Sequence, residues 1–362
     1  MPGRSLRVAE VDGAYAWVRL GASLLLSTIG GVGLWSVVVT LPAIQAEFGV
    51  ARGSAALPYT LTMVFVALGN VVMGRLVDRI GIVRPLLIAG VALGIGYVAA
   101  GFSQSLLQFA LAQGLLIGLF GTSVTFGPLM ADVSHWFVRR RGVAVSICAA
   151  GSYFAGTIWP PVVQSAIAAY GWRHTHMAIG LFCLVTILPL AFILRCRPVA
   201  IGGSAARAAI PRPIPGLSPG MLQALLIAAG VACCVAMAMP QVHLVAYCGD
   251  LGYGPAHGAE MLSLMLACGI VSRVGSGFIA DRIGGLRTLL LGSVMQAAAL
   301  MLYLSFDGLV SLYVVSALFG LFQGGIVPSY ALIVREFFPA REAGQRIGVV
   351  LTATIAGMAL GG

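Results

Sequence analysis

Charged residues divide the chain into long apolar runs. Nothing between Arg19 and Glu47 is charged, nor between Arg52 and Arg75. The stretch from Arg84 to Asp132 has room for two helices around a turn at Gly101-Phe102-Ser103-Gln104-Ser105, and further runs cover about 142–165 and about 174–194. A hydrocarbon core about 30 Å thick needs roughly 20 apolar residues at about 1.5 Å rise each. Six spans therefore precede a break at 195–220, which holds Arg195, Arg197, Arg207 and Arg212 among prolines and glycines. Such a segment suits neither a helix nor lipid and reads as a linker. Apolar runs resume at about 221–247, 259–280, 287–306 and 308–333, and an eleventh begins near Ile347 and is still apolar at Gly362. The pattern predicts an all-α membrane protein with an N-terminal six-helix bundle over 1–194. A C-terminal bundle over 221–362 is expected to hold four complete helices and part of a fifth, truncated within the eleventh span.

Composition agrees. The 362 residues are 59% hydrophobic and 9% charged, against roughly a quarter charged in a soluble domain. All 21 basic residues are arginines. With the N-terminus inside the cell, eighteen of them fall in cytoplasmic segments and only Arg52 and Arg173 outside, while Arg273 falls within a span. That bias predicts a multi-pass protein of the plasma membrane, a bacterial inner membrane, with a cytoplasmic N-terminus. The net charge of +10 thus reads as topology rather than as a nucleic-acid footprint. The seven cysteines lie mostly inside spans without paired ligand spacing, which argues for apolar packing over disulfides or zinc. The first apolar stretch is too long for a cleavable signal. No metal, nucleophile or phosphate constellation points to an enzyme or a cofactor.

One motif occurs twice. Gly74-x-Leu76-x-Asp78-Arg79-Ile80-Gly81-x-x-Arg84 returns 203 residues later as Gly277-x-Ile279-x-Asp281-Arg282-Ile283-Gly284-x-x-Arg287, each copy joining the second and third spans of its half. Two similar bundles would place a substrate cavity between them at the bilayer midplane. This pattern resembles the major facilitator superfamily, whose signature is a glycine, an aspartate and basic residues in this turn. The glycines let helix ends approach, and each aspartate suits a neighbouring helix N-terminus or arginine as donor. The twin turns are expected to act as gates at the cytoplasmic ends of the bundles; the plainer reading is a static staple.

Two further stretches narrow the resemblance. Asp12-Gly13-Ala14-Tyr15-Ala16-Trp17 opens the first span, and Trp136-Phe137-Val138-Arg139-Arg140-Arg141-Gly142 leads into an alanine- and glycine-rich fifth. Together they look like the two signatures of the monocarboxylate transporter family, with the oxalate/formate exchanger group closely similar. The first departs from the pattern, since Ala14, Tyr15 and Ala16 replace Gly, Trp and Gly. On the plainer reading Asp12 caps the first helix and the arginines anchor a cytoplasmic end.

Arg273 is expected to be the one arginine deep in a span, about 5 Å by helix rise from the centre of the eighth. An intramembrane charge is costly and marks a site by default. Small residues Gly269, Ser276 and Gly277 share its face, and its planar fork of donors matches a carboxylate. The resemblance implies that an arginine here binds the substrate carboxylate; the plainer reading ties it to helix carbonyls. Some family members add an aspartate one turn earlier, where this chain has Gly269, and a first-span lysine, which it lacks. His243, beside Gln241 and Tyr247, is then the titratable candidate, and Tyr153, Gln323 and Tyr330 are candidate polar contacts. The expected function is secondary active transport of a small organic anion by alternating access, through proton symport or anion exchange, by a monomer in the lipid bilayer. The alternatives are a drug or metabolite exporter of the same fold, and a non-transporting sensor or inactive truncated product.

Overall fold

The computed structural model describes residues 8–9, 11–50, 57–198, 218–253 and 255–361. Arg4, Arg7, Arg52, and Arg207 and Arg212 within the expected linker lie outside the described residues.

Helices follow the apolar runs. In the first half α1 (Ala14–Gly30) and α2 (Val32–Phe48) share the first run. The first repeated turn lies between α3 (Leu57–Ile80) and α4 (Val83–Gly101). The fourth run is less regular. There α5 (Leu106–Leu111) loosens into a π-helix over Ala112–Gly121 and a 3-10 turn over Thr122–Thr125, before α6 (Gly127–Trp136). The fifth and sixth spans form one helical path, α7 (Arg141–Ile193), bent at Gly171 with φ 75° and ψ 161°. The second half contains α8 (Pro219–Asp250), α9 (Pro255–Ile283) and α10 (Gly285–Ser305). It continues through α11 (Leu309–Gln323), α12 (Ile326–Phe337) and α13 (Ala343–Gly361).

Ten helical stretches among the described residues are long and apolar enough to cross a membrane, one of them α7, which fuses two helices across the bend at Gly171. The eleventh span is longer than the apolar run from Ile347 suggests. Ala343–Arg346 join α13 because Arg346 pairs with Glu342 at 2.8 Å and lies over the Phe338 ring, which gives 19 residues or about 28 Å of helix.

The surface suits lipid. Leu304, Val310 and Leu360 are largely exposed, while Asn70, Gln113, Gln296 and Gln323 are buried. Apolar side chains outside and polar ones inside invert the soluble pattern, as a hydrocarbon solvent requires.

The halves meet through two related interfaces, α3 against α13 and the first arm of α7 against α9. Backbones touch at both. A Cβ on Gly74 would lie 2.4 Å from the Gly344 carbonyl oxygen, and one on Gly142 would lie 2.5 Å from that of Gly277. Small residues permit this approach and the dispersion contact it brings. A two-residue parallel bridge, Val8–Ala9 with Arg197–Pro198, ties the segment before the first span to the one after the sixth.

Candidate functional site

Each repeated turn reaches across to the other half. The Asp78 carboxylate, at the end of α3, accepts from the Gly344 and Gln345 amides at 3.0 and 2.8 Å, where α13 begins. The Asp281 carboxylate, at the end of α9, accepts from the Gly142 amide and, at 3.1 Å, from that of Val143, where α7 begins. The first amides of a helix have no intrahelical acceptor and carry the positive end of its dipole, so a carboxylate there satisfies both. Gly81 and Gly284 sit at the same place in the two copies with φ of 79° and 87°, a left-handed conformation that a side chain would strain. Arg79, Arg84, Arg282 and Arg287 are exposed. The bonds across the halves are therefore made by the aspartates, and the arginines lie outside them.

The two signature stretches also meet. The Asp12 carboxylate does not cap α1, whose N-cap Gly13 has no side-chain partner. It accepts from the Val138 and Arg139 amides at 3.2 Å each, and its own amide donates to the Trp136 carbonyl. Tyr15 and Trp17 set edge-to-face contacts with Trp136 and Phe137, at 5.2 and 5.1 Å between centroids. Arg141 turns inward and donates to the Ser134 and Phe137 carbonyls, closing the loop before α7, while Arg140 stays exposed. The opening residues thus hold the turn that presents Gly142 to Asp281.

Arg273 is 4% exposed, eight residues up α9 from Asp281. Its Nη1 donates to the Ala149 carbonyl at 2.7 Å and to Ser152 Oγ at 3.1 Å, both on α7 of the other half. Its guanidinium lies 3.8 Å from the Tyr153 ring centroid, and its Nε is buried without a hydrogen bond. Gly269 now has a structural reason. A Cβ there would lie 3.2 Å from Tyr153 Cε2, so the tyrosine ring occupies the space a residue-269 side chain would need. Arg273 thereby faces an aromatic surface, a cation–π contact worth about 2 kcal/mol when desolvated.

The other candidates divide. Gln323 is buried and accepts from Gln241 at 3.0 Å, leaving its own amide nitrogen without a partner. Tyr330 is buried, and its hydroxyl has no hydrogen-bond partner by geometry among the described residues. His243 lies on the exposed side of α8. The structure therefore joins Arg273 to Tyr153 and Gln323 to Gln241, and leaves Tyr330 and His243 apart from both pairs.

Arg273 is not alone in the interior, contrary to expectation. Arg19, on α1, is 2% exposed. It forms a two-point pair with Asp132 at 2.9 and 2.8 Å, donates to the Leu194 carbonyl at 2.6 Å and lies over the Trp136 ring. It resembled a loop charge because it stands at the edge of its apolar run. Its signal was Asp132, an acid at the far edge of another run. A second missed contact joins the halves, where Arg335 Nη1 lies 3.2 Å from His135 Nε2.

The hydrogen bonds described between the two halves all lie on one side of the molecule. They run from the twin turns to the level of Arg273 and to Thr352, whose hydroxyl donates to the Ala67 carbonyl. The molecule is closed at the twin-turn end.

Comparison with known proteins agrees with this architecture. The family model described as Major Facilitator Superfamily matches residues 23–362. Monocarboxylate transporter 13 of Bos taurus is 26% identical over 98% of this chain and 83% of its own length. The MFS-type transporter pynF of Aspergillus niger is 24% identical over 93% and 77%. Among solved structures, the human organic anion transporter MFSD10 superposes with a TM-score of 0.74 at 12% identity, over 96% of this chain and 92% of that one.

Proposed function

The chain belongs to the major facilitator superfamily, on a branch like the monocarboxylate transporters, and from that premise we propose that it carries a small organic anion by alternating access with Arg273 as the anion site. The observation that carries the reading is Arg273 itself. It is buried between the two halves, stacked on Tyr153, with an Nε donor that no group among the described residues accepts. A guanidinium in a low-dielectric site binds a carboxylate through short charge-assisted hydrogen bonds. The carboxylate would take over from the Ala149 carbonyl and Ser152 as acceptor, loosening a tie that joins the halves. Gln323 and Gln241 would offer neutral polar contacts, and Tyr153 would hold the guanidinium plane. The naming of a related protein as a monocarboxylate transporter is in keeping with this assignment.

In this reading the twin turns lie in the cytoplasm with the N-terminus, and the closed twin-turn end marks an outward-facing state. His243 would carry a proton if transport is coupled to one; the other form of the same cycle is anion exchange. Uptake of radiolabelled monocarboxylates into proteoliposomes tests the assignment. Wild-type protein is expected to accumulate label, and Arg273→Ala to lose uptake while remaining monodisperse. Full transport by Arg273→Ala would refute the site.

A further inference from the structure

Beside the second turn lies a cavity of about 650 Å³ whose walls come from both halves. Five arginines line it: Arg139 and Arg141 from the start of α7, Arg282 and Arg287 around the turn, and Arg335 from α12. Two acids share it, and both are already engaged. Asp281 accepts from the Gly142 and Val143 amides, and Glu336 accepts from the Gly285 amide at 2.9 Å. Among the described residues, Arg282 and Arg287 have no ion-pair partner, and Arg335 Nε is buried without a hydrogen bond. Several guanidinium groups therefore converge on one space in which, among the described residues, five arginines face two acids.

Exposed apolar residues accompany the arginines. Ile283 and Leu286 line the cavity and are each 38% exposed, and Leu290, one turn on from Leu286, is 57% exposed on α10. A ligand that fits carries a concentrated negative charge on planar or tetrahedral oxygens, which guanidinium forks recognise, beside an alkyl chain. The related space beside the first turn is built differently. That cavity, about 270 Å³, has Asp78 and Asp132 with Arg341 and His135, so it holds two acids against one arginine and lacks the basic excess of the second.

We propose that the cavity beside the second turn binds the phosphate headgroup of an anionic phospholipid, with the acyl chains running over Ile283, Leu286 and Leu290. Basic pockets between transmembrane helices take such headgroups. Because Val138–Gly142 and Ala280–Arg287 belong to opposite halves, a bound headgroup bridges them and favours the closed gate. This site is separate from Arg273 and does not depend on which substrate is carried.

Native mass spectrometry of the full chain, extracted from phosphatidylcholine nanodiscs with added phosphatidylglycerol, tests it. Wild-type protein is expected to retain phosphatidylglycerol. The Arg282→Gln/Arg287→Gln variant is expected to lose about tenfold in retention. The matched Arg79→Gln/Arg84→Gln variant, which removes the same charge from the first turn, is expected to retain the lipid. Equal loss in both variants, or no loss in the first, would overturn the proposal. A third arm needs no variant: high salt should strip the lipid from wild-type protein, and retention unchanged by salt counts against the site. Inorganic phosphate is the last arm. If phosphate alone displaces phosphatidylglycerol, the site takes free phosphate and the lipid assignment fails; persistence of the lipid supports it.

Discussion

The two repeated turns are copies of one motif in unequal surroundings. Asp78 and Asp281 each end a helix, each reach the first amides of a helix in the other half, and each are followed by a glycine with positive φ. Their neighbours differ. Asp281 sits among Arg139, Arg141, Arg282, Arg287 and Arg335, and the turn that carries its partner is clamped by Asp12 and two aromatic pairs. Asp78 shares its cavity with Asp132, Arg341 and His135, and its partner helix begins after a short 3-10 turn, Ala340–Glu342. A repeated motif thus determines which bond is made, while unrepeated residues determine how strongly charge supports it.

Removing both gates should have the largest effect. A carboxylate on helix N-terminal amides contributes about 1–2 kcal/mol, so Asp78→Asn with Asp281→Asn should shift the open-to-closed ratio by roughly 30-fold or more. Spin-label distances between positions 79 and 341 are expected to lengthen; an unchanged distribution would make the turns static staples. The single variants sharpen the comparison. Asp281→Asn leaves several arginines facing one another, so it should open the gate more than Asp78→Asn at low salt. The difference is expected to shrink as salt screens the repulsion. Equal responses at all salt concentrations would mean the surroundings are irrelevant.

Asp12→Ala should weaken only the second gate, by about 1 kcal/mol through loss of the amide bonds at Val138 and Arg139. Proteolysis rates at the 136–140 turn would register it; an equal change around residues 340–343 would contradict the separation of the two gates.

The smallest expected effect lies at the other end. There Arg173 pairs with Glu47 at 2.7 Å, and Trp172 donates to the same carboxylate. Burial pushes the Glu47 carboxyl up, but the hydrogen bonds and charge of Arg173 and the bond from Trp172 outweigh it and leave it lowered. Its stabilisation is therefore complete above the ordinary glutamate value, about 4.3, and lost as pH falls through the lowered one. The pair is partly exposed, so a few tenths of a kcal/mol is expected. Glu47→Gln should remove that part of the acid dependence of thermal stability and leave both gates unchanged.

The twin turns were legible because repetition at a fixed offset singles out residues that packing alone would not duplicate. The burial of Arg273 was legible because a charge inside an apolar run is costly to insert and so stands out. The pairing of Arg19 with Asp132 was not, because each stands at the edge of its run and passes for an anchor. The exchange of space between Gly269 and Tyr153 depends on how two helices from different halves are set against each other, which no periodicity encodes. The signature stretches were recognisable separately, but their contact through Asp12 follows from a loop geometry visible only in three dimensions.

The central claim is that Arg273 is the anion site, and equilibrium binding tests it most directly. Titration of purified protein with a monocarboxylate and with the corresponding neutral amide should give saturable binding of the acid alone. Arg273→Ala should bind the acid at least about tenfold more weakly, as expected for loss of a charge-assisted bond worth roughly 1.5–3 kcal/mol. Equal affinity of wild type and variant, or equal binding of acid and amide, would contradict the account.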